Sequence, residues 1–86
     1  MTQFQKLIER FLAKPKDFTF IEMKKLLEGL GYREIQTGKT SGSRAAFIHK
    51  NTRHIIRLHR PHPQPNMKRY QLDFVEEELK LRGLLK

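Results

Sequence analysis

The apolar residues of this chain change their spacing at Gly31, and that change limits the folds open to it. Before Gly31 they recur at intervals of three and four residues, which is typical of helices that bury one side. Over residues 32–59 the spacing shifts towards alternation, as in strands with one buried face. Prolines at positions 61, 63 and 65 end that stretch, and the helical spacing then returns. The pattern predicts an α+β domain with the order α-α-β-β-β-α.

Two helices are predicted before the strands. Residues 2–14 form an additional N-terminal helix, which Pro15 ends because proline cannot continue a helix. Thr19 is a natural N-cap for the second helix, with Glu22 three residues later as its capping-box partner. Gly31 follows that helix as a residue able to take a positive φ. We expect residues 1–86 to form one domain, since a chain of this length has no room for two cores.

Three strands and a last helix complete the prediction. The strands cover residues 32–37, 44–50 and 53–59, the second and third joined by a turn at 51–52, and the helix runs from about 67 to 81. Together they predict a three-stranded antiparallel sheet with helices packed on one face. The opposite face of such a sheet is open to solvent.

Positive charge is concentrated in the strand region. The chain has 18 basic and nine acidic side chains, a formal net charge of +9. Residues 33–69 hold nine of the basic side chains, all four histidines and one acid, and therefore carry +8. Such clustering is expected of a domain with a polyphosphate partner, and the alternative is a solvated basic surface without a partner.

Strand alternation predicts which of these charges share the open face. If Phe47, Ile56 and Leu58 point into the core, the residues between them point away from it. The tight turn also brings the start of the second strand beside the end of the third, so we expect Arg44 to lie close to His59. The basic set predicted for the open face is Arg44, Lys50, Arg57 and His59.

These residue types suit the cleavage of RNA without a metal. That reaction needs proton transfers from the 2′-hydroxyl and to the leaving oxygen, which histidine performs near neutral pH. It also needs cations on the phosphate, where arginine fits the oxygens well. The candidate catalysts are His59 and His62, and the candidate RNA-binding residues are Gly42, Ser43, Arg44, Lys50, Arg57 and Arg60. The same histidines could instead be phosphate ligands, and His49 and His54 are better explained as structural residues.

Several other functions are disfavoured. The chain has no cysteine, so it has neither disulfides nor thiolate metal sites. The histidines lack a nearby acid, and the +8 segment would repel a dication, so no metal or other cofactor is predicted. No apolar run reaches the ~18 residues of a membrane span, and no signal peptide is evident, so we expect no membrane association and a cytoplasmic location.

Three motifs resemble the HicA toxin family of bacterial toxin–antitoxin systems. They are KKLLEGLGY at 24–32, Gly-Ser-Arg at 42–44 and IRLHRPHP at 56–63, followed by the closing amphipathic helix. The resemblance covers about residues 19–82, and the helix at 2–14 is similar to an extension found in longer members. It implies a fold like that of double-stranded-RNA-binding domains, mRNA cleavage as the activity and inhibition by a HicB-like antitoxin.

One position departs from the family pattern. The resemblance implies a catalytic histidine directly after Gly42 and Ser43, where this chain has Arg44. Two hypotheses follow: either His59 or His62 performs the chemistry in an mRNA-cleaving toxin, or the domain is a non-catalytic RNA-binding module of the same fold. A structural or DNA-associated basic protein is the third possibility.

Overall fold

A computed structural model places the chain in the predicted order of elements and describes residues 2–35, 44–61 and 64–85. The α+β prediction is confirmed. The helices and strands are α1 (Gln3–Leu12), α2 (Phe20–Gly29), β1 (Tyr32–Ile35), β2 (Arg44–His49), β3 (Ile55–His59) and α3 (Arg69–Leu81). None of the helices in these described ranges is long and apolar enough to cross a membrane.

Capping side chains fix the starts of the first two helices. Thr19 and Glu22 form the predicted capping box, with the Thr19 hydroxyl accepting from the Glu22 amide at 3.2 Å. Thr2 and Gln5 form a second box at the start of α1. Gly31 follows α2 with φ of +101°, as its position after the helix predicts.

The sheet is antiparallel with the strand order β1-β2-β3, so β1 and β3 are its edges. One face packs against the helices and forms the core. That core contains Phe11, Phe18, Met23, Leu26, Leu27, Tyr32, Ala45, Phe47, Ile56, Leu58, Met67, Leu72, Val75 and Leu79. Phe47, Ile56 and Leu58 point inward as predicted, which leaves the intervening residues of β2 and β3 on the other face, here called the outer face.

Helix α1 and Lys14, which follows it, contact the rest of the protein at three places. Arg10 of α1 donates to the Glu22 carboxylate at 2.6 Å, and this hydrogen bond lowers the pKa of Glu22. The Phe4 ring lies where a side chain on Gly29 would stand, so only glycine allows this close approach. Lys14 forms ion pairs with α3, reaching Asp73 at 2.6 Å and Glu76 at 2.5 Å.

The observed ends of four elements differ from the prediction. α1 covers Gln3–Leu12 and not residues 2–14, because Thr2 is its N-cap and the chain leaves the helix before Lys14, whose φ is +55°. α3 begins two residues late because the Met67 amide donates to the Phe18 carbonyl at 2.7 Å instead of entering a helix. β2 ends at His49 because the Arg53 amide donates to the His49 carbonyl at 3.1 Å, which closes the turn to β3. β3 begins at Ile55 because Arg53, with φ of +65°, belongs to the turn. The predicted end of β1, at residues 36–37, lies outside the described residues.

Candidate nucleic-acid interface on the outer face

Arg44 and His59 stand directly opposite each other, at the start of β2 and the end of β3. His49 donates its amide proton to the His54 carbonyl at 2.9 Å, and alternation along the ladder then makes Arg44 and His59 a non-hydrogen-bonded pair. Side chains are closest in such pairs, whose Cα atoms lie about 4.5 Å apart. Both side chains are exposed on the outer face, so the predicted proximity is confirmed.

Arg57 adds a second cation to this end of the outer face. It is exposed and lies opposite Ala46. This pair is two residues along each strand from the Arg44–His59 pair. Ala46 also points to the outer face, yet it is only 2% exposed because it stands between Ile35 and Arg57 in adjacent strands. We call Arg44, Arg57 and His59 the basic cluster.

The character of the outer face changes towards the β2–β3 turn. Ile48 and Ile55 form the next opposed pair and are partly exposed. Arg33 of β1 lies beside Ile48. The face therefore has a basic end, formed by the basic cluster, and a mixed end with two isoleucines and one cation.

Lys50 lies apart from the basic cluster, and its place on the outer face stays a prediction. It lies six residues along the chain from Arg44, past the end of β2. At about 3.4 Å per residue the two are separated by roughly 20 Å. Lys50 is exposed at the turn, where it can reach only a ligand that extends along the sheet.

Arg60 points towards the helices and is engaged within the protein. Its guanidinium donates to Glu34 at 2.6 Å and to the Arg44 carbonyl at 3.2 Å, and it lies 5.7 Å from the centre of the Phe20 ring. Burial raises the pKa of Glu34, but hydrogen bonds from Arg60 and Lys24 outweigh that effect and leave the pKa below its ordinary value. Arg60 therefore ties the end of β3 to the start of β2.

Gln71 of α3 fixes the backbone of His59 and was not predicted from the sequence. Its Oε1 accepts from the His59 amide at 2.8 Å, and its Nε2 donates to the His59 carbonyl at 3.1 Å. These two backbone groups face the edge of β3 away from β2, where none of the described strands pairs with them. Gln71 is only 5% exposed and so acts as a short substitute for a neighbouring strand.

The other two described histidines have structural roles, as predicted. His49 accepts hydrogen bonds at Nδ1 from the amides of Asn51 and Thr52, which shapes the β2–β3 turn. His54 is bonded at Nδ1 to the Tyr32 hydroxyl and at Nε2 to Glu78, both at 2.8 Å. Neither ring lies in the basic cluster.

The remaining predicted site residues, Gly42, Ser43 and His62, lie outside the described residues. Within residues 2–35, 44–61 and 64–85, no three side chains of His, Asp or Glu stand together as metal ligands would. Among the predicted site residues that the structure describes, Arg44, Arg57 and His59 form the basic cluster, Arg60 ties the strand ends together and Lys50 lies apart at the turn.

An open antiparallel sheet backed by helices, with a basic cluster on its outer face, defines a small α+β domain suited to a polyanion. Comparison with known families matches residues 21–81 to the HicA toxin of bacterial toxin–antitoxin systems. The match spans most of the chain, which therefore belongs to the HicA toxin family. Family membership implies an antitoxin partner. The helix α1 lies before the matched region. No curated protein sequence and no solved structure matches the chain significantly.

Proposed function

We propose that this toxin binds RNA across the basic end of the outer face and cleaves mRNA there. The observation that carries the proposal is the opposed pair of Arg44 and His59. A permanent cation and a group able to transfer protons lie side by side, exposed, on a face that none of the three described helices covers. Arg57, on the same face, adds a second cation for phosphate oxygens.

The reaction needs no metal. The 2′-oxygen of one nucleotide attacks the adjacent phosphorus, so the 2′-O–P bond forms while the P–O5′ bond breaks. The products are a 2′,3′-cyclic phosphate and a 5′-hydroxyl. His59 acts as the base and accepts the proton of the 2′-hydroxyl. A second group acts as the acid and protonates the leaving O5′. His62 is the candidate for that acid, because it follows His59 by three residues on the same chain segment.

Arg44 supplies charge rather than proton transfer. A guanidinium is a permanent cation in proteins, so it cannot act as a base. Its planar donors instead match the non-bridging phosphate oxygens, whose charge grows in the transition state. In this proposal the proton transfer that the family assigns to position 44 has moved across the ladder to His59.

The other predicted RNA-binding residues have secondary roles in this proposal. Gly42 and Ser43 precede Arg44 and contact the phosphate backbone through an amide and a hydroxyl. Lys50 contacts RNA that continues along the sheet to the turn. Arg60 holds the strand ends together through Glu34 and the Arg44 carbonyl.

We propose further that a HicB-like antitoxin inhibits the toxin by covering the basic cluster. The cluster is exposed and positively charged, so an acidic surface would complement it and exclude RNA. Charge reversal at Arg57, as Arg57→Glu, should weaken co-purification with the antitoxin. The control is Lys25→Glu, which reverses an exposed charge on α2, the helix that packs on the other face of the sheet. Equal retention of the antitoxin by both variants would contradict this arrangement.

A non-catalytic RNA-binding module is the second candidate, favoured by Arg44 at the position of the expected family histidine. Expression of the toxin in cells and incubation of purified protein with RNA separate the two. The cleavage proposal predicts growth arrest and RNA products in the presence of a chelator. Tight RNA binding with neither effect would favour the second candidate. Stronger binding to B-form DNA than to RNA at matched salt would contradict both.

A further inference from the structure

Helix α3 has an apolar stripe that the core does not use. Tyr70, Phe74 and Leu81 follow one another at spacings of four and seven residues and are 61%, 43% and 72% exposed. Residues at these spacings lie on one side of a helix. The buried side of α3 is a different one, formed by Gln71, Leu72, Val75 and Leu79.

Contacts of α3 with β3 show which way the stripe faces. Gln71 bonds the backbone of His59 at one end of β3, and Glu78 bonds His54 just before the other end. The helix therefore runs antiparallel to β3, with Gln71 directed at the free edge of the strand. Glu78 is directed at the His54 ring, which lies on the core face with Tyr32.

Helical geometry then places the two aromatic residues. Each residue turns the helix by about 100°, so Tyr70 and Phe74 lie about 100° and 60° from Gln71 in the same direction. The buried Leu72 and Val75 lie in the opposite direction from Gln71. Tyr70 and Phe74 are thus on the side of the sheet edge away from the core, and they continue the outer face beyond β3.

The aromatic pair stands next to the basic cluster. Tyr70 adjoins Gln71, which is bonded to His59, and an i, i+4 pair has Cβ atoms about 5–6 Å apart. Two further basic residues, Lys68 and Arg69, directly precede Tyr70 and are exposed. The nearby acid Asp73 is paired with Lys14 at 2.6 Å and with Arg69 at 3.9 Å. Exposed rings beside a row of cations are the combination that binds single-stranded nucleic acids.

We infer that Tyr70 and Phe74 form a stacking subsite for unpaired RNA bases next to the phosphate held by the basic cluster. The inference rests on the proposed function and names its substrate class: RNA that is single-stranded beside the site of cleavage. The bases of a duplex are stacked within the helix and cannot lie on these rings. Ring faces accept any base, so the subsite favours unpaired RNA without reading its sequence.

Fluorescence anisotropy with two probes tests this inference on the full chain. The first probe is a fluorescein-labelled RNA of about 12 nucleotides without self-complementarity, and the second is the same strand annealed to its complement. Both are fully 2′-O-methylated, which removes the attacking hydroxyl and prevents cleavage during the measurement. Dissociation constants are measured over a series of salt concentrations.

The central variant is the double substitution Tyr70→Ala with Phe74→Ala. Stacking typically contributes enough that its loss should raise Kd for the single strand about five- to hundredfold. The slope of log K against log salt should stay unchanged, because no ionic contact is lost. The aromatic-preserving variant Tyr70→Phe should bind like the wild type. Tyr70→Ala alone, at a 61% exposed position, serves if the double variant is poorly folded.

Two controls separate this inference from the proposed function. Arg57→Ala should weaken binding and reduce the salt slope, because a phosphate contact is lost. Ile21→Ala removes an apolar side chain of α2 that is 66% exposed. It should change neither the Kd for RNA nor the salt slope. If the wild type binds neither probe, the proposed function fails.

The stacking subsite alone is overturned by a different result. If Arg57→Ala weakens binding while the double alanine variant keeps the wild-type Kd for the single strand, the subsite does not exist. An equal loss for single strand and duplex would also contradict it. Unchanged RNA affinity together with lost antitoxin binding would assign the stripe to a protein partner instead.

Discussion

Gln71 holds both backbone groups of His59, with its Oε1 2.8 Å from the amide nitrogen and its Nε2 3.1 Å from the carbonyl oxygen. The contact joins α3 to the free edge of β3 and fixes the residue whose side chain faces Arg44 across the ladder. We propose that the His59 side chain acts on RNA. Its position is therefore set by α3, which contacts β3 at the edge away from β2.

Replacing Gln71 by leucine should destabilise the protein and loosen His59. The substitution keeps the bulk of the side chain but leaves the amide and carbonyl of His59 without partners. Unpartnered buried polar groups cost about 1–3 kcal/mol each, partly recovered here if water enters. Denaturant unfolding gives the stability, and amide hydrogen exchange at His59 reports the local effect. Unchanged exchange at His59 would contradict the role assigned to Gln71.

Glycine at position 31 should be required for two reasons that a matched substitution separates. Gly31 and Gly83 both have positive φ, +101° and +76°, so alanine is strained at either. A Cβ at Gly31 would also stand 2.7 Å from His49 Nε2, whereas one at Gly83 meets no atom within 4 Å. Gly83→Ala should cost about 1 kcal/mol and Gly31→Ala clearly more. Equal losses in denaturant unfolding would show that the contact with His49 is unimportant.

Acid should destabilise the fold through its paired carboxylates. Hydrogen bonds from Lys14 and then Lys80 lower the pKa of Glu76, and one from Arg10 lowers that of Glu22, both below the ordinary 4.5. A carboxylate with a lower pKa in the folded state stabilises the fold above its unfolded pKa, and this contribution disappears as pH falls through the folded pKa. The free energy of unfolding should therefore decline below pH 4.5. Glu76→Gln should make that decline shallower, and an identical pH profile would contradict the assignment.

Restoring the family histidine should not improve the enzyme. In our proposal Arg44 provides a permanent charge and His59 the proton transfer, so Arg44→His removes a needed cation. We expect slower RNA cleavage and weaker RNA binding, with a smaller salt slope. Arg44→Lys, which keeps the charge but loses the planar donors, should fall between the two. Faster cleavage by Arg44→His would mean that the histidine of the family, and not His59, is the effective base.

Removing a charge should weaken RNA binding more at Arg57 than at Lys50. Both side chains are exposed and basic, but Arg57 lies in the basic cluster, whereas Lys50 lies at the turn. Alanine at either position removes one unit of charge, so the two variants have the same net charge. Binding of a short RNA at fixed salt should therefore be weaker for Arg57→Ala. Equal affinities would indicate a general effect of charge instead of a local site.

Local patterns were enough to predict the order of elements and the Arg44–His59 pair. The capping box at Thr19 and the glycine at position 31 are signals carried by adjacent residues. The pair followed from a tight turn and strand alternation. Prediction is poorer where hydrogen bonds between distant segments set the end of an element. α3 starts later than predicted because the Met67 amide pairs with the Phe18 carbonyl.

Gln71 and Arg60 show the same limit within the site. A glutamine on an amphipathic helix has no local signature of a backbone partner, and only the packing of α3 along β3 brings it to His59. The charge of Arg60 predicts a role in RNA binding. Its hydrogen bonds to Glu34 and the Arg44 carbonyl arise instead from the way the sheet meets α2. Burial of one side of α3 could be predicted, whereas its direction along β3 could not.

The rate of RNA cleavage by the His59→Ala variant tests the central claim most directly. The His59 side chain is exposed and its backbone bonds to Gln71 survive the substitution, so the variant should fold normally. Single-turnover cleavage of a labelled RNA should be slower by a factor of about 10²–10⁴, with RNA affinity largely retained. Lys25→Ala, at an exposed position on α2, should cleave at close to the wild-type rate. Cleavage by folded His59→Ala at the wild-type rate would contradict the account.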